Sequence, residues 1–310
     1  MKAFDIVTLT VNPSVDKSTH FSGLIPEQKI RCKEPQFDAG GGGINVSKAI
    51  SRLRGSSLAI FTSGGPVGVM LKELITKEKI DFEVIETETP TRENFIAVDD
   101  NTNSQYRFGF SGGTLSDLES QKVLQTISNL KPEFLVASGS LNEGLSSDFY
   151  QRVAEIAKSS NSKLIVDTSG EALKKVLETG AYLIKPNVGE LAKLVGVERL
   201  ETEEVDEAAK EIIAKGGAEI VVVSLGPQGA VLVTKDQCEF VPAPNVVKKS
   251  TVGAGDSMVG GMVWALSQNK NLKEVIRWGV ACGSAATMNE GTQLFKFEDV
   301  NRLFEWLKNK

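Results

Sequence analysis

One pattern constrains the fold of this chain more than any other. Short, nearly continuous runs of apolar and β-branched residues recur, separated by segments of helical periodicity. The runs are Phe4–Leu9, Leu58–Thr62, Phe134–Ala137, Lys163–Val166, Tyr182–Ile184 and Glu219–Val223. A strand that is apolar on both faces must be covered on both, which is the condition of an inner strand in a parallel sheet flanked by helices. Between the runs, Ile44–Leu53, Val67–Lys77, Leu118–Leu130, Ser147–Lys158, Glu171–Glu178 and Val205–Lys215 repeat apolar residues at helical spacing. Each predicts an amphipathic helix packed on that sheet. The alternation predicts an α/β fold with a mainly parallel central sheet. After Ser250 the alternation stops, and Gly255–Ser267, Lys273–Met288 and Glu298–Lys308 read as consecutive helices.

Two stretches do not fit those layers. Lys17–Phe37 and Thr91–Phe110 alternate polar and apolar residues around turn residues such as Pro26 and Asp99-Asp100-Asn101. They are expected to form a small β-sheet lid over a site. No repeat, low-complexity run or long linker divides the 310 residues, so one domain over 1–310 is expected. A chain of this length buries about three quarters of its surface on folding and does not depend on a staple. Cys32, Cys238 and Cys282 are odd in number and widely spaced, which argues against a disulfide framework or a zinc site. Cys282 sits in an apolar helical segment and is expected in the core. The lone histidine, His20, excludes a His-based triad unless it serves itself, and is expected to face water. The net charge of -5, from 35 basic and 40 acidic residues, gives no reason to expect nucleic acid or an anionic membrane as partner. The first 18 residues are broken by Asp5 and Asn12 and hold no signal-like apolar run. With no long apolar run elsewhere, a cytoplasmic protein is expected.

Anion chemistry, if present, must then come from local devices, and two glycine-rich segments offer them. In Ala39-Gly40-Gly41-Gly42-Gly43-Ile44-Asn45, four glycines precede a helix. Such a segment lets backbone approach a ligand closely, and the helix start presents free N–H groups. Asn45 can bond sugar hydroxyls. The segment is neither a Walker A loop nor a GxGxxG fingerprint, and a flexible turn is the alternative. In Ser250-Thr251-Val252-Gly253-Ala254-Gly255-Asp256, the N–H groups from Gly253 to Asp256 can cradle an anion. Asp256 can take a hydroxyl proton, or can simply be the helix N-cap. Asn187 and Glu190, after a short strand, can hold hydrated Mg²⁺ or form a capping box. Ser224–Gly229 can be a plain hairpin turn. Arg92, Lys29 and Arg31 on the lid can meet a substrate phosphate, or be solvated without a role.

At these residues the chain resembles the PfkB sugar-kinase family, within the ribokinase-like fold. One family signature matches Ala39–Gly65 with its Gly-Gly-Gly-Gly-x-Asn, and another matches Ser250–Val263 with Gly-Ala-Gly-Asp intact. Further similarity runs through Pro26–Cys32, Val166–Leu173, Val221–Ala230 and Gly283–Thr287. The resemblance implies a three-layer α/β sandwich with a β-lid that doubles as a homodimer interface. It implies transfer of the γ-phosphoryl group of MgATP to a sugar-phosphate hydroxyl. The expected activity is 6-phosphofructokinase, making fructose 1,6-bisphosphate; the alternatives are a tagatose-6-phosphate kinase, a 1-phosphofructokinase, or an inactive sugar- or nucleotide-binding regulator.

By the same resemblance Asp256 matches the catalytic base, and Gly253, Ala254 and Gly255 the anion hole. Ser14 and Asp16, with Gly41, Gly42 and Asn45, match sugar contacts, and Arg92 and Ser140 match sugar-phosphate contacts. Lys29 matches a lid lysine that reaches a neighbouring subunit's site. Lys185, Asn187, Ser224, Gly226 and Ser284 match nucleotide contacts, and Glu190 the Mg²⁺-associated glutamate. Ser250, Val252, Ala286, Asn289, Gly291 and Gln293 match a K⁺ loop built mainly of carbonyls. The chain departs from a close relative within the family at Asn142-Glu143, where that relative carries two prolines, and at Gln293, where it carries arginine.

Overall fold

The computed structural model describes residues 4–291 and 293–310; Met1, Lys2, Ala3 and Thr292, part of the span expected as one domain, lie outside them. The strands are β1 (Ile6–Thr10), β2 (Ser14–Phe21), β3 (Gln36–Gly40), β4 (Leu58–Ser63), β5 (Asp81–Glu86), β6 (Arg92–Asp99), β7 (Ser104–Phe108), β8 (Phe134–Ser138), β9 (Lys163–Asp167), β10 (Ala181–Ile184), β11 (Ala218–Ser224), β12 (Gly229–Val233) and β13 (Cys238–Pro242). The helices are α1 (Gly42–Arg52), α2 (Gly65–Lys77), α3 (Asp117–Leu130), α4 (Phe149–Ser160), α5 (Gly170–Thr179), α6 (Val188–Val195), α7 (Val205–Ala214), α8 (Ala254–Ser267), α9 (Leu272–Thr287) and α10 (Phe297–Lys308).

The large sheet runs β13-β12-β11-β10-β9-β8-β1-β4-β5. Every pairing from β5 to β11 is parallel, and only β12 and β13 close the edge antiparallel. Period-2 alternation divides its side chains between two cores. Val221 and Val223 of β11 face α3 to α7, while Ile220 and Val222 face α8, α9 and α10 with α1. This two-sided burial is why the inner strands read as unbroken apolar runs. Strand β13 and edge strand β5 were not among the expected strands; β5 alternates polar and apolar residues as a half-covered edge does.

The second sheet, β3-β2-β6-β7, has β2 at its centre, paired antiparallel with β3 and parallel with β6. Strand β2 begins at Ser14 and β3 ends at Gly40, so the sheet overruns the first expected lid stretch, 17–37, at both ends. A third apolar cluster, including Val15, Ala39, Ile44 and Phe61, lies between this sheet and α1, α2 and β4.

Helix α8 lies tightly against α1: a Cβ at Gly260 would stand 2.5 Å from the Ala49 methyl and 3.1 Å from the Val46 carbonyl. Cys282 is fully buried in the same layer, as expected. No helix among the described residues is long and apolar enough to cross a membrane.

Candidate active site

In an open parallel sheet the ligand crevice opens beyond the carboxyl ends of the strands where the connections reverse direction. Here β1 is flanked by β4 on one side and β8 on the other, so the reversal lies between β1 and β8. Polar residues stand at the carboxyl ends of the strands from that point along the sheet: Asn12 follows β1, Ser140 follows β8, Asp167 ends β9, Lys185 follows β10 and Ser224 ends β11.

The small sheet forms one wall. Its register places Ser14 beside Gly40 and Arg92, and Asp16 beside Asn94. Ser14 Oγ donates to Asp16 Oδ1 at 2.7 Å, and Asn94 Nδ2 donates to both, at 3.0 and 2.9 Å. Ser14 and Asp16 are both buried. Oδ2 of Asp16 faces Gly40, where an added Cβ would stand 2.5 Å away, so only glycine leaves the carboxylate its place. Strand β3 ends at Gly40, Gly41 caps α1 with φ 119°, and α1 begins at Gly42. A Cβ at Gly42 would collide with Ser138 and lie 2.8 Å from the Gly139 nitrogen. The four glycines are therefore a fixed crossing of backbone over the ends of β1 and β8, and not a flexible turn.

The second glycine segment faces the first. Gly253 adopts the left-handed conformation (φ 70°) and is itself the N-cap of α8, which puts Asp256 in the first turn. Asp256 is thus not a helix cap. Asn45 Nδ2 donates to Asp256 Oδ2 at 2.9 Å, joining the two segments across 211 residues. Burial raises the Asp256 carboxyl to about 6, with Asp167 repelling its charge and the Asn45 bond and Lys185 pulling the other way. The Ala254 N–H bends back to the Thr251 carbonyl at a long 3.4 Å, whereas those of Gly253, Gly255 and Asp256 meet no carbonyl among the described residues. This is a donor nest with a carboxylate beside it.

On the other wall, Lys185 Nζ pairs with Asp167 Oδ1 at 3.2 Å, with the lysine side chain 8% exposed. Burial opposes the Lys185 charge, but Asp167, Asp256 and Glu190 outweigh it and hold its pKa above the ordinary value. Nζ stands 3.4 Å from where a Cβ of Gly255 would be. Asn187 and Glu190 form a reciprocal capping box at the start of α6, each side chain bonding the other's main-chain N–H at 2.9 Å. Only Glu190 Oε2 is engaged there, so Oε1 remains available to hydrated Mg²⁺, and the site fits such an ion alongside its capping role. Asn187 bridges Ser224 in parallel, and Ser224 N–H donates to the Pro186 carbonyl at 3.0 Å. Beyond Ser224 the chain does form the hairpin turn, with Gly226 at φ 59° and open space beside it. Ser284 lies on α9 beside Gly283, whose added Cβ would stand 3.2 Å from the Ala254 carbonyl.

The residues expected to form a K⁺ loop lie on two arms. Ser250 Oγ accepts from Val252 N–H at 3.1 Å, and Ser250 N–H donates to the Thr287 carbonyl at 3.2 Å. On the second arm, the Ala286 carbonyl accepts from Asn289 N–H at 3.2 Å, Gly291 has φ 56°, and the Gln293 carbonyl accepts from Arg52. The carbonyls of Ser250, Val252, Asn289 and Gly291 accept no main-chain hydrogen bond among the described residues, so this donor set fits a weakly hydrated cation.

Other expected residues have these surroundings. Arg92 donates to the carbonyls of Phe110 at 2.7 Å and Asn12 at 3.0 Å. Its Nε is buried without a partner. Burial lowers its pKa and Asp16 partly restores it. Ser140 Oγ accepts from Asn12 Nδ2 at 3.3 Å, so Asn12 ties Arg92 to Ser140. Lys29, expected at a neighbouring subunit's site, lines with Arg31 and Lys33 a hollow of about 390 Å³ on its own chain. His20 does not merely face water: its Nδ1 is 2.8 Å from Asp100 Oδ1, and Lys33 holds the other oxygen at 2.8 Å.

Other residues of the cleft were not anticipated: Asp167, Asn94 and Asn12. Behind it, the buried Lys48 of α1 donates to the Ala39 carbonyl at 3.3 Å, and burial lowers its pKa. Asp167 had a legible signal, a carboxylate at the carboxyl end of a buried strand. The polar partners of Asn94 and Asn12 are too distant in sequence to suggest themselves.

With this geometry in view, the similarities to known proteins are informative. The chain matches the profile described as pfkB family carbohydrate kinase over residues 3–298. It is 42% identical over 304 residues to the ATP-dependent 6-phosphofructokinase isozyme 2 of Escherichia coli, covering 97% of this chain and 98% of that one. The 1-phosphofructokinase of Bacillus subtilis is 33% identical, with 94% and 95% covered. The crystal structure of phosphofructokinase-2 from Escherichia coli in complex with potassium superposes with a TM-score of 0.95 at 41% identity, covering 98% of this chain and 99% of that one. Arabidopsis thaliana ribokinase, 19% identical with a TM-score of 0.77 over 98% of this chain and 99% of that one, shares the fold, which is ribokinase-like. On these matches, and with both glycine segments meeting across one crevice, the chain belongs to the pfkB family of carbohydrate kinases.

Proposed function

We propose that this chain is an ATP-dependent kinase of sugar phosphates that converts fructose 6-phosphate to fructose 1,6-bisphosphate. One observation carries the reading. Asp256, with a carboxyl raised to about 6, is held by Asn45 beside the Gly253–Gly255 donor nest, at the sheet's switch point. At neutral pH such a group is ionised yet basic enough to take a hydroxyl proton. Asp16, oriented by Ser14 and Asn94, holds the sugar hydroxyls, and Gly41, Gly42 and Asn45 shape the acceptor floor. Arg92 and Ser140, linked through Asn12, face the sugar phosphate. Lys185, Asn187, Ser224, Gly226 and Ser284 line the nucleotide side. Glu190 with its waters would hold Mg²⁺, which supplies charge neutralisation on the phosphates when bound. The arms at 250–252 and 286–293 would hold K⁺, the ion with which the Escherichia coli phosphofructokinase-2 was crystallised.

The acceptor hydroxyl loses its proton to Asp256 and its oxygen bonds the γ-phosphorus of ATP while the bond from that phosphorus to ADP breaks, the N–H groups of Gly253 and Gly255 receiving the charge of the transferred phosphoryl group. The protein contributes positioning and electrostatics, with no covalent intermediate. The small sheet is read as a lid over this cleft and as the surface of a homodimer, in which Lys29 reaches the neighbouring site. Leu24 and Phe108, 52% exposed, and Phe110, 58% exposed, supply an apolar face for it. A cytoplasmic enzyme accords with phosphorylated substrates.

Turnover of fructose 6-phosphate, tagatose 6-phosphate and fructose 1-phosphate, compared as kcat/KM by coupled ADP release, tests the assignment. Fructose 6-phosphate is expected to lead. A lead by either other sugar reassigns the substrate, and no ADP release from any of them points to a regulator. Asp256→Asn is expected to cut kcat at least about a hundredfold with a smaller change in KM; near-normal turnover removes Asp256 from the base role.

A further inference from the structure

The small sheet does not merely overhang the cleft; it grips the loop that builds the donor nest. Arg107, on β7, donates from a terminal nitrogen to Thr251 Oγ1 at 2.9 Å, across 144 residues of sequence. Its guanidinium is held in place by Gln105 Oε1, which accepts from Nε at 3.0 Å and from the same terminal nitrogen at 2.9 Å. With its Nε edge held by one acceptor, the planar fork aims the other N–H of that terminal nitrogen at Thr251, so the contact is directional.

Thr251 stands two residues before Gly253. Its carbonyl receives the Ala254 N–H at 3.4 Å, and Val252 N–H returns to Ser250 Oγ at 3.1 Å. Thr251 therefore closes the turn in which Gly253 adopts φ 70° and the nest opens. A second link from the same sheet meets the opposite arm: Gln293 Nε2 donates to Gln36 Oε1 of β3 at 3.4 Å. Helix α1, which carries Asn45, holds that arm too, Arg52 donating to the carbonyls of Gln293 and Phe295. Among these links the Arg107–Thr251 bond is the one that reaches the nest turn itself.

We propose that Arg107 is a positioning residue for phosphoryl transfer, latching the small sheet onto Thr251 and thereby setting the turn that presents the nest and Asp256. The proposal rests on the kinase reading above and deepens it. Docking of the sheet and order in the nest become one event, so the transfer machinery is complete when the cleft is covered. Arg107 and Thr251 side chains are both exposed, so substitution there leaves the core untouched.

The test is a double-mutant cycle on the full-length enzyme with fructose 6-phosphate and MgATP, using Arg107→Gln, Thr251→Val and the pair. Each single change is expected to lower kcat by about tenfold with KM for MgATP changed less than about threefold, and the pair to be no worse than the worse single, as for two residues that act through one contact. Thr251→Ser, which keeps the hydroxyl, is expected to recover most of the turnover. Multiplying effects in the pair, or wild-type turnover by Thr251→Val, overturns the latch. The contact is also read without catalysis: amide exchange at residues 104–108 is expected to quicken in Thr251→Val as it does in Arg107→Gln. Unchanged exchange in both refutes the latch even if the enzyme is active, whereas quickened exchange in a chain with no sugar-kinase turnover refutes the kinase reading and leaves the contact standing.

Discussion

A carboxyl moved from its ordinary 3.8 to about 6 leaves a thermodynamic mark that can be measured without any substrate. In the folded chain Asp256 holds its proton more tightly than in the unfolded chain, so ionisation destabilises the fold. The penalty is fully present above about pH 6 and fades as the pH falls toward 3.8. At about 1.4 kcal/mol per pH unit it reaches about 3 kcal/mol, and screening from the open side of the cleft reduces it to about 2 kcal/mol. Asp256→Asn removes the charge while its side-chain carbonyl can still accept from Asn45 Nδ2. The ligand-free variant is therefore expected to be more stable than the parent at pH 8, and by about half as much at pH 5. For a chain of this length about 2 kcal/mol corresponds to about 3 °C in Tm. Thermal unfolding of both proteins at pH 8 and pH 5 checks this. A variant that melts at or below the parent at pH 8, or that gains equally at both pH values, refutes the claim that burial and Asp167 strain this carboxylate. It would then be stabilised like an ordinary surface aspartate, and its qualification as a base would go with it.

Two further outcomes follow from the same geometry. Asp167→Asn removes the charge that repels Asp256 and frees Lys185 to attract it, so the acidic limb of kcat/KM against pH is expected to move down by roughly half a unit to one unit; a limb that stays or rises contradicts the coupling. Arg92→Ala is expected to raise KM for phosphorylated sugars by about 10- to 100-fold, the worth of a charge-assisted contact, while free fructose changes little; equal losses on both would mean that Arg92 serves only the Phe110 and Asn12 carbonyls.

The layers of this protein were legible because two-sided burial writes itself into the chain as apolar runs. The run Phe134–Ala137 and strand Phe134–Ser138 differ by one residue. The site was legible only in part. Glycines that must admit backbone or a carboxylate, such as Gly40 and Gly42, stand out in composition, and so does the Gly-Ala-Gly-Asp turn. Single polar residues do not. Asn94 is defined by its bonds to Ser14 and Asp16, 80 and 78 residues away. Asp100 meets His20 only because β2 and β6 run parallel. Arg92 read as a ligand contact since an arginine beside a cleft suggests one; that its nitrogens first satisfy two backbone carbonyls depends on where the 110–113 loop folds back. The start of α8 left two readings open, since an aspartate there can be a cap or a base, and Gly253 takes the cap position itself.

The contact of Gly260 with Ala49 has a consequence for how this architecture tolerates change. It fixes the gap between α1 and α8, and with it the spacing of the Asn45 amide from the Asp256 carboxylate, before any ligand arrives. The distance between those two groups is thus gauged by the thickness of two helix backbones, and a bulkier side chain at position 260 would spread the gap and part the amide from the carboxylate.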